Sequence, residues 1–187
     1  MIHDSRPLIE DVHLRPAALD DAASFAEALT RSRAYMRPWD PVRPESYYTA
    51  HGQAERLTGL LAEQAGGRAM PWVLADGEDR VVGAMTLANI ERGPFRNARL
   101  GYWVHIDRAG HGLATAAVGA VCDLARDALG LHRIEAGTVL ANAASQRVLA
   151  KCGFEEIGVA PRYLHIDGAW RDHRMFQRIL HDGPPRR

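Results

Sequence analysis

The chain has 187 residues, 47% hydrophobic and 25% charged, and its 23 basic and 23 acidic side chains cancel to a formal net charge of zero. That length suits one domain over residues 1–187 with a single core, and the balanced charge supplies no basic field for nucleic acid or an anionic membrane. No apolar run reaches the roughly 18 residues a membrane-spanning helix needs, and residues 1–11 lack the apolar core of a signal peptide, so a cytoplasmic protein is expected.

Residues 12–15 alternate apolar and polar side chains, the period of a half-buried strand. A helix is predicted over 20–31, with Ala22, Phe25, Ala26 and Leu29 on one face. Prolines punctuate residues 37–44, and a second helix is predicted over 45–64, closed by Gly66 and Gly67. Residues 72–75 and 81–90, joined by a turn at Asp76 and Gly77, read as a hairpin, and 98–106 as a third strand. The period then changes. Leu113, Ala117, Val118, Val121, Leu124 and Ala128 recur at helical spacing, with Gly130 as a left-handed C-terminal cap. A strand over 133–140, a short helix over 143–152 ended by Gly153, and strands over 154–159 and 170–180 complete the core at about 10–181, and a frayed tail is expected over 183–187. Hairpins combined with strand–helix–strand crossovers predict an α/β (α+β) domain: a mixed, mostly antiparallel sheet with helices on both faces. Cys122 and Cys152 lie in no Cys-x-x-Cys pair, so buried small hydrophobes are expected, with neither a disulfide nor a metal site.

Two segments carry candidate chemistry. Around Gly110-His111-Gly112, a strand gives way to a helix, and two glycines one residue apart let the backbone turn tightly and approach a ligand. The free N–H groups and the positive end of the helix dipole then form a receptacle for phosphate oxygens. A glycine-eased turn with nothing bound fits the same residues. A dinucleotide fingerprint fails because position 115 is threonine, and no Gly-Lys-Ser/Thr triplet exists for a Walker loop. In the second segment Asn142 is placed to cap a short helix through the N–H of Ser145, and Phe154 can pack back behind Gly153. A capped helix alone would explain that pattern. Together the segments set two helix N-termini after two successive strands, 98–106 and 133–140. If those strands are parallel and splay, the gap holds an extended ligand with its phosphates on the first helix.

These residues resemble the GNAT acetyltransferases. That family's loop, Gln/Arg-x-x-Gly-x-Gly/Ala, corresponds to Ala109-Gly110-His111-Gly112-Leu113-Ala114, with Ala109 in place of Gln/Arg and Arg108 beside it. Asn142, Ser145, Lys151, Gly153 and Phe154 match a second family pattern. Leu14-Arg15-Pro16, Pro38-Trp39-Asp40-Pro41, Gly101-Tyr102-Trp103, residues 132–136 and residues 167–173 resemble the Rim-type ribosomal-protein N-acetyltransferases.

The resemblance implies a sheet splayed between two parallel strands and direct acetyl transfer from acetyl-CoA to an amine, with no metal. It implies that the amides of Ala109, Gly110, His111, Gly112, Leu113, Ala114 and Thr115 hold the pyrophosphate. Asn142 and Ser145 would lie near the pantetheine and sulfur. A backbone N–H in the stretch Val104, His105, Ile106 would polarise the acetyl carbonyl.

Candidate proton-transfer groups are Glu135 as a base acting through water, Tyr163 as an acid, and Ser145 as an alternative donor. An ion pair of Glu135 with Arg133 or Arg147, and a Tyr163 that merely covers the sheet, are the structural alternatives. His165 and His173 titrate near neutrality but fit surface or satisfied histidines equally well. Trp39, Arg43, Glu45, Tyr47 and Tyr48 lie where relatives cover the acceptor. Deprotonating an α-amine at pH 7 costs about 1.4 kcal/mol, against roughly 4.6 kcal/mol for a lysine amine. With no strong base evident, an N-terminal amine of a protein is the expected acceptor and a small amine the alternative. A non-catalytic acetyl-CoA-binding module stands as a third reading, and the protein is expected to be a monomer or homodimer.

Overall fold

In the computed structural model, residues 4–184 are described, and the chain runs β1 (Arg6–Pro7), β2 (His13–Pro16), α1 (Ala22–Met36), α2 (Ala50–Ala65), β3 (Met70–Ala75), β4 (Val81–Ala88), β5 (Asn97–Val104), α3 (Leu113–Asp127), β6 (Arg133–Val139), α4 (Ala143–Lys151), β7 (Glu155–Ile166) and β8 (Ala169–Ile179). The strands form one sheet in the order β1-β2-β3-β4-β5-β6-β8-β7. Neighbours are antiparallel except β5 and β6, which are parallel.

Alternation along the central strands sorts side chains to two cores. Met70, Trp72 and Leu74 of β3 join Ala117, Val118 and Val121 of α3 and Leu149 of α4. The intervening Val73 and Ala75 join Phe25 and Leu29 of α1 and Leu57 of α2. Both faces of β3 are therefore buried, which is why its sequence reads as a continuous apolar run rather than an alternating one. Helices cover both faces, as the sequence implies.

Several boundaries differ from expectation. The first helix runs on to Met36, because residues 32–36 contain no breaker and Pro38 is the first stop. The helix expected over 45–64 splits into a 3₁₀ turn at Glu45–Tyr48 and α2, whose N-cap is Thr49, its side chain accepting from Gly52 N–H. The strand expected over 154–159 continues to Ile166 through register shifts at Glu156/Gly158 and Ala160/Leu164. Such bulges absorb Gly158, Pro161 and the positive φ of Arg162, residues that look like a strand's end in sequence. Strand β1, two residues long, is too short to leave a pattern. Of the expected frayed tail, residues 185–187 lie outside the described residues.

Gly130 has φ +62° and Gly153 φ +75°, the left-handed caps expected behind α3 and α4. Cys122 and Cys152 are buried free thiols, as expected.

Candidate active site between two parting strands

Strands β5 and β6 pair at three positions only, Asn97 with Arg133, Ala98 with Ile134 and Arg99 with Glu135. Beyond that rung β5 continues to Val104 beside β4, and β6 continues to Val139 beside β8. The two strands part, and the C-terminal half of each faces a gap. A topological switch of this kind, at the carboxyl ends of parallel strands, is where open α/β sheets bind ligands.

The amides along the rim have distinct fates. His105 N–H donates to Val82 O at 2.8 Å, and Ile106 N–H to the buried Ser32 Oγ at 3.2 Å. Neither is free for a ligand. The His105 bond also fixes the ladder's alternation, so the N–H of Val104 points away from β4 into the gap. Of the three rim residues singled out in sequence, Val104 is the one whose amide faces the opening.

The loop after β5 makes one 3₁₀ turn at Ile106–Arg108 and reaches α3 through Gly110 (φ +84°) and Gly112 (φ +88°). A side chain is strained in that region of φ/ψ space, which is why both residues are glycine. Open space surrounds both positions, with no heavy atom within 4 Å of an added Cβ. Backbone hydrogen bonds lapse after Ala109 N–H, bound to Ile106 O, and resume at Ala116 N–H, bound to Gly112 O. Among the described residues, the amides from Gly110 to Thr115 are left without a protein acceptor. They sit at the positive end of a 15-residue helix, an arrangement that suits phosphate oxygens. Leu113 is buried in the core, so it can serve a ligand only through its backbone.

This loop is tied down from outside. Asp107 pairs with Arg31 of α1, and Arg108 Nη1 reaches Glu10 at 2.9 Å and Asp11 at 3.1 Å. Arg108 is thus committed to the N-terminal segment and does not substitute for the side chain missing at Ala109. His105 is buried with Nδ1 accepting from Asp107 N–H at 3.3 Å, and burial holds its pKa below the ordinary histidine value. The ring stays neutral at pH 7, as that acceptor role needs.

The face of the gap that carries α3 and α4 holds Asn142, Ser145, Tyr102 and Thr138. Asn142 Oδ1 accepts from Ser145 N–H at 3.0 Å, the cap expected from sequence. Tyr102 reaches over from β5, and its hydroxyl lies 2.7 Å from Ser145 Oγ. Thr138, past the last β5–β6 rung and on the same face as Ala136, keeps Oγ1 buried with no protein hydrogen-bond partner. An orphaned hydroxyl there is costly unless a ligand satisfies it.

The opposite face carries α1 and α2. Glu135 stands at the root of the gap, 16% exposed in its side chain, bound by Arg133 Nη2 at 2.9 Å. That is one of the two ion pairs considered for it. Tyr163, on β7 at the second bulge, packs against His173 at 5.2 Å between centroids, and the Arg99 guanidinium lies 5.8 Å from its ring. Arg99 is register partner to Glu135, so Tyr163 is drawn towards the root of the gap. His173 is buried and its Nδ1 contacts Arg171 O at 3.0 Å, a satisfied structural histidine. His165 is exposed and stacks edge-on with Trp170.

On this face an open cavity of about 560 Å³ lies between α1, residues 40–48 and the β7–β8 turn, and Arg43, Tyr47 and Tyr48 are in its wall. Glu45 pairs with Arg33 of that wall, whereas Trp39 is not among the lining residues. No cluster of metal-ligating side chains occurs among the described residues.

Tyr102, Thr138 and Arg99 were not singled out by the sequence as site residues. Tyr102 and Thr138 are polar groups at inward-facing places in the alternation of β5 and β6, a pattern that sets their face but not the parting of the strands beside them.

Residues 11–155 match the acetyltransferase (GNAT) domain family. The ribosomal protein uS5-alanine N-acetyltransferase of Escherichia coli is 33% identical over 168 residues, 89% of this chain and 87% of that protein. The crystal structure of a ribosomal-protein-S5-alanine acetyltransferase from Vibrio fischeri superposes with a TM-score of 0.92 at 33% identity, covering 97% of this chain and 100% of the other. Mycobacterium smegmatis RimJ, solved in complex with CoA-disulfide, gives a TM-score of 0.89 at 36% identity, covering 95% and 88%.

Proposed function

The chain belongs to the GNAT acetyltransferase family, and from that premise we propose that it moves an acetyl group directly from acetyl-CoA to the N-terminal α-amine of a protein, of the ribosomal-protein type. The observation that carries this reading is the row of unpaired amides from Gly110 to Thr115 at the mouth of the β5–β6 gap. The CoA carried by the RimJ relative supports the choice of donor.

In this reading the pyrophosphate rests on those amides and the pantetheine lies in the gap. Asn142 and Ser145 flank it, and Thr138 offers its hydroxyl. The N–H of Val104 polarises the thioester carbonyl and stabilises negative charge on that oxygen as the amine adds. The amine arrives from the face of α1 and α2, where Glu135 serves as base through water. Ser145 and Tyr163, on opposite faces, are the hydroxyls that can protonate the sulfur.

Residues 40–48 and the open cavity beside them favour an extended acceptor over a small amine. Two of the named relatives are ribosomal-protein-alanine acetyltransferases, which supports the same choice. The test is incubation with acetyl-CoA and peptides beginning with Ala or Ser, read by mass spectrometry. A gain of one acetyl group on the α-amine is expected. Acetylation of small amines with none on any peptide would overturn the protein acceptor.

A further inference from the structure

Resting on the acetyltransferase reading, one contact in the gap goes beyond it. The Tyr102 hydroxyl lies 2.7 Å from Ser145 Oγ and 3.3 Å from the backbone oxygen of the same residue. Tyr102 comes from the part of β5 that has left β6, and Ser145 from the first turn of α4. The bond therefore spans the gap from one lip to the other.

Either hydroxyl could donate in this contact, and donor strength favours the phenol. Both serine oxygens near the phenol can accept, whereas the phenol has a single hydrogen to give. An aromatic hydroxyl is a better donor and a poorer acceptor than an aliphatic one. With the Tyr102 hydrogen on Ser145, the Ser145 hydrogen is left for another partner. The Ser145 amide is already held by Asn142 Oδ1 at 3.0 Å. Backbone, cap and phenol together fix where the serine hydroxyl sits.

We propose that Tyr102 is a positioning residue that orients Ser145 and replaces its proton, so that the Tyr102–Ser145 pair protonates the sulfur leaving from the thioester. Serine alone is a poor acid, because its alkoxide is far more basic than a thiolate. A phenol behind it lessens that difficulty, because a phenolate is less basic than an alkoxide. Burial pushes the Tyr102 pKa up to about 12, so at neutral pH the phenol holds the proton it must supply.

The step balances. The neutral amine nitrogen bonds to the acetyl carbon, and the C–S bond breaks with its electron pair on sulfur. Sulfur takes the Ser145 proton, and Ser145 Oγ takes the Tyr102 proton. The surplus proton on the new amide nitrogen leaves to water, and a proton from water restores the phenol. The products are one amide and one CoA thiol.

The test compares the wild type with Tyr102→Phe, Ser145→Ala and the double variant. Turnover is measured with acetyl-CoA and an Ala-starting peptide, and CoA affinity separately by calorimetry. Phenylalanine keeps the ring's packing, and Ser145→Ala leaves the phenol in place, so the two changes probe the pair from both sides. Each single variant should lose about 10²-fold in kcat, within the range for acid catalysis, with KM and CoA affinity within twofold of wild type. The double variant should lose no more than about threefold beyond the worse single one, as groups acting as a unit do. A Tyr102→Phe enzyme as fast as the wild type, or losses that multiply in the double variant, would overturn the pair and leave the transferase reading standing. A wild type that binds CoA yet acetylates no amine would overturn both.

Discussion

Glu135 and Ser145 stand on opposite sides of one opening, the carboxylate held by Arg133 and the hydroxyl by Tyr102. Arg133 fixes the carboxylate 2.9 Å away, at the rung where the parallel pairing ends. Replacing Glu135 by Gln keeps the shape and removes the proton acceptor. The variant should bind CoA within twofold of wild type while kcat falls by at least about tenfold, measured by single-turnover acetylation of a peptide. Away from the gap, Asp76 in the β3–β4 turn is a second carboxylate with a readable consequence. Burial would raise its pKa, but the Arg80 guanidinium and the amides of Arg80 and Glu78 outweigh burial and hold it below the ordinary value. A depressed carboxylate stabilises the fold above its unfolded pKa of about 3.9 and loses that contribution as pH falls through its lower folded value. Thermal melts should therefore drop below pH 4 in the wild type and drop less in Asp76→Asn, which should be the less stable at pH 7. At this scale the capping asparagine and the loop glycines were legible in sequence, because local spacing defines them. Tyr102 and Thr138 were not, since their meaning depends on which strand leaves which, and that is a long-range fact.

Elements show the same division. Helix α3 announces itself by apolar spacing, and α4 by its cap and its closing glycine. The break between Tyr48 and α2 went unread because Thr49, the true cap, sits among residues that all tolerate a helix. Strand β7 was read short for the opposite reason, since its glycine and proline imitate an ending. The approach of β4 to β5 is also invisible in sequence. A Cβ on Gly83 would meet Trp103 O at 2.7 Å and Leu74 Cδ1 at 2.8 Å, so the strands come close only because position 83 lacks one. Gly83→Ala should push β5 away at Trp103 and Val104, costing about 1–3 kcal/mol. Urea titration should show the lower midpoint, and kcat should fall because Val104 N–H is displaced.

Across the whole molecule, one parallel pair in an otherwise antiparallel sheet divides the labour. The face of α3 and α4 presents unpaired amides and hydroxyls, and the face of α1 and α2 a cavity and a carboxylate, which the proposed reaction gives to donor and acceptor respectively. The mixed sheet and its helical layers followed from element order, and its parting strands from the family resemblance. The docking of β8 between β6 and β7 did not, because either strand of the last hairpin could have paired with β6. If the donor site is preformed, CoA at 100 times its Kd should stabilise the fold by about 2.7 kcal/mol, or roughly 5–10 °C in Tm.

In the proposed reaction, donor binding stands on the row of unpaired amides, and calorimetric titration probes it most directly. CoA and free pantetheine are titrated into the wild type and into Gly112→Asp, whose carboxylate would crowd and repel the pyrophosphate. The wild type should bind CoA at least about 100-fold more tightly than pantetheine, whereas Gly112→Asp, folded by circular dichroism, should show no measurable CoA binding. Equal CoA affinity in the two proteins would contradict the account.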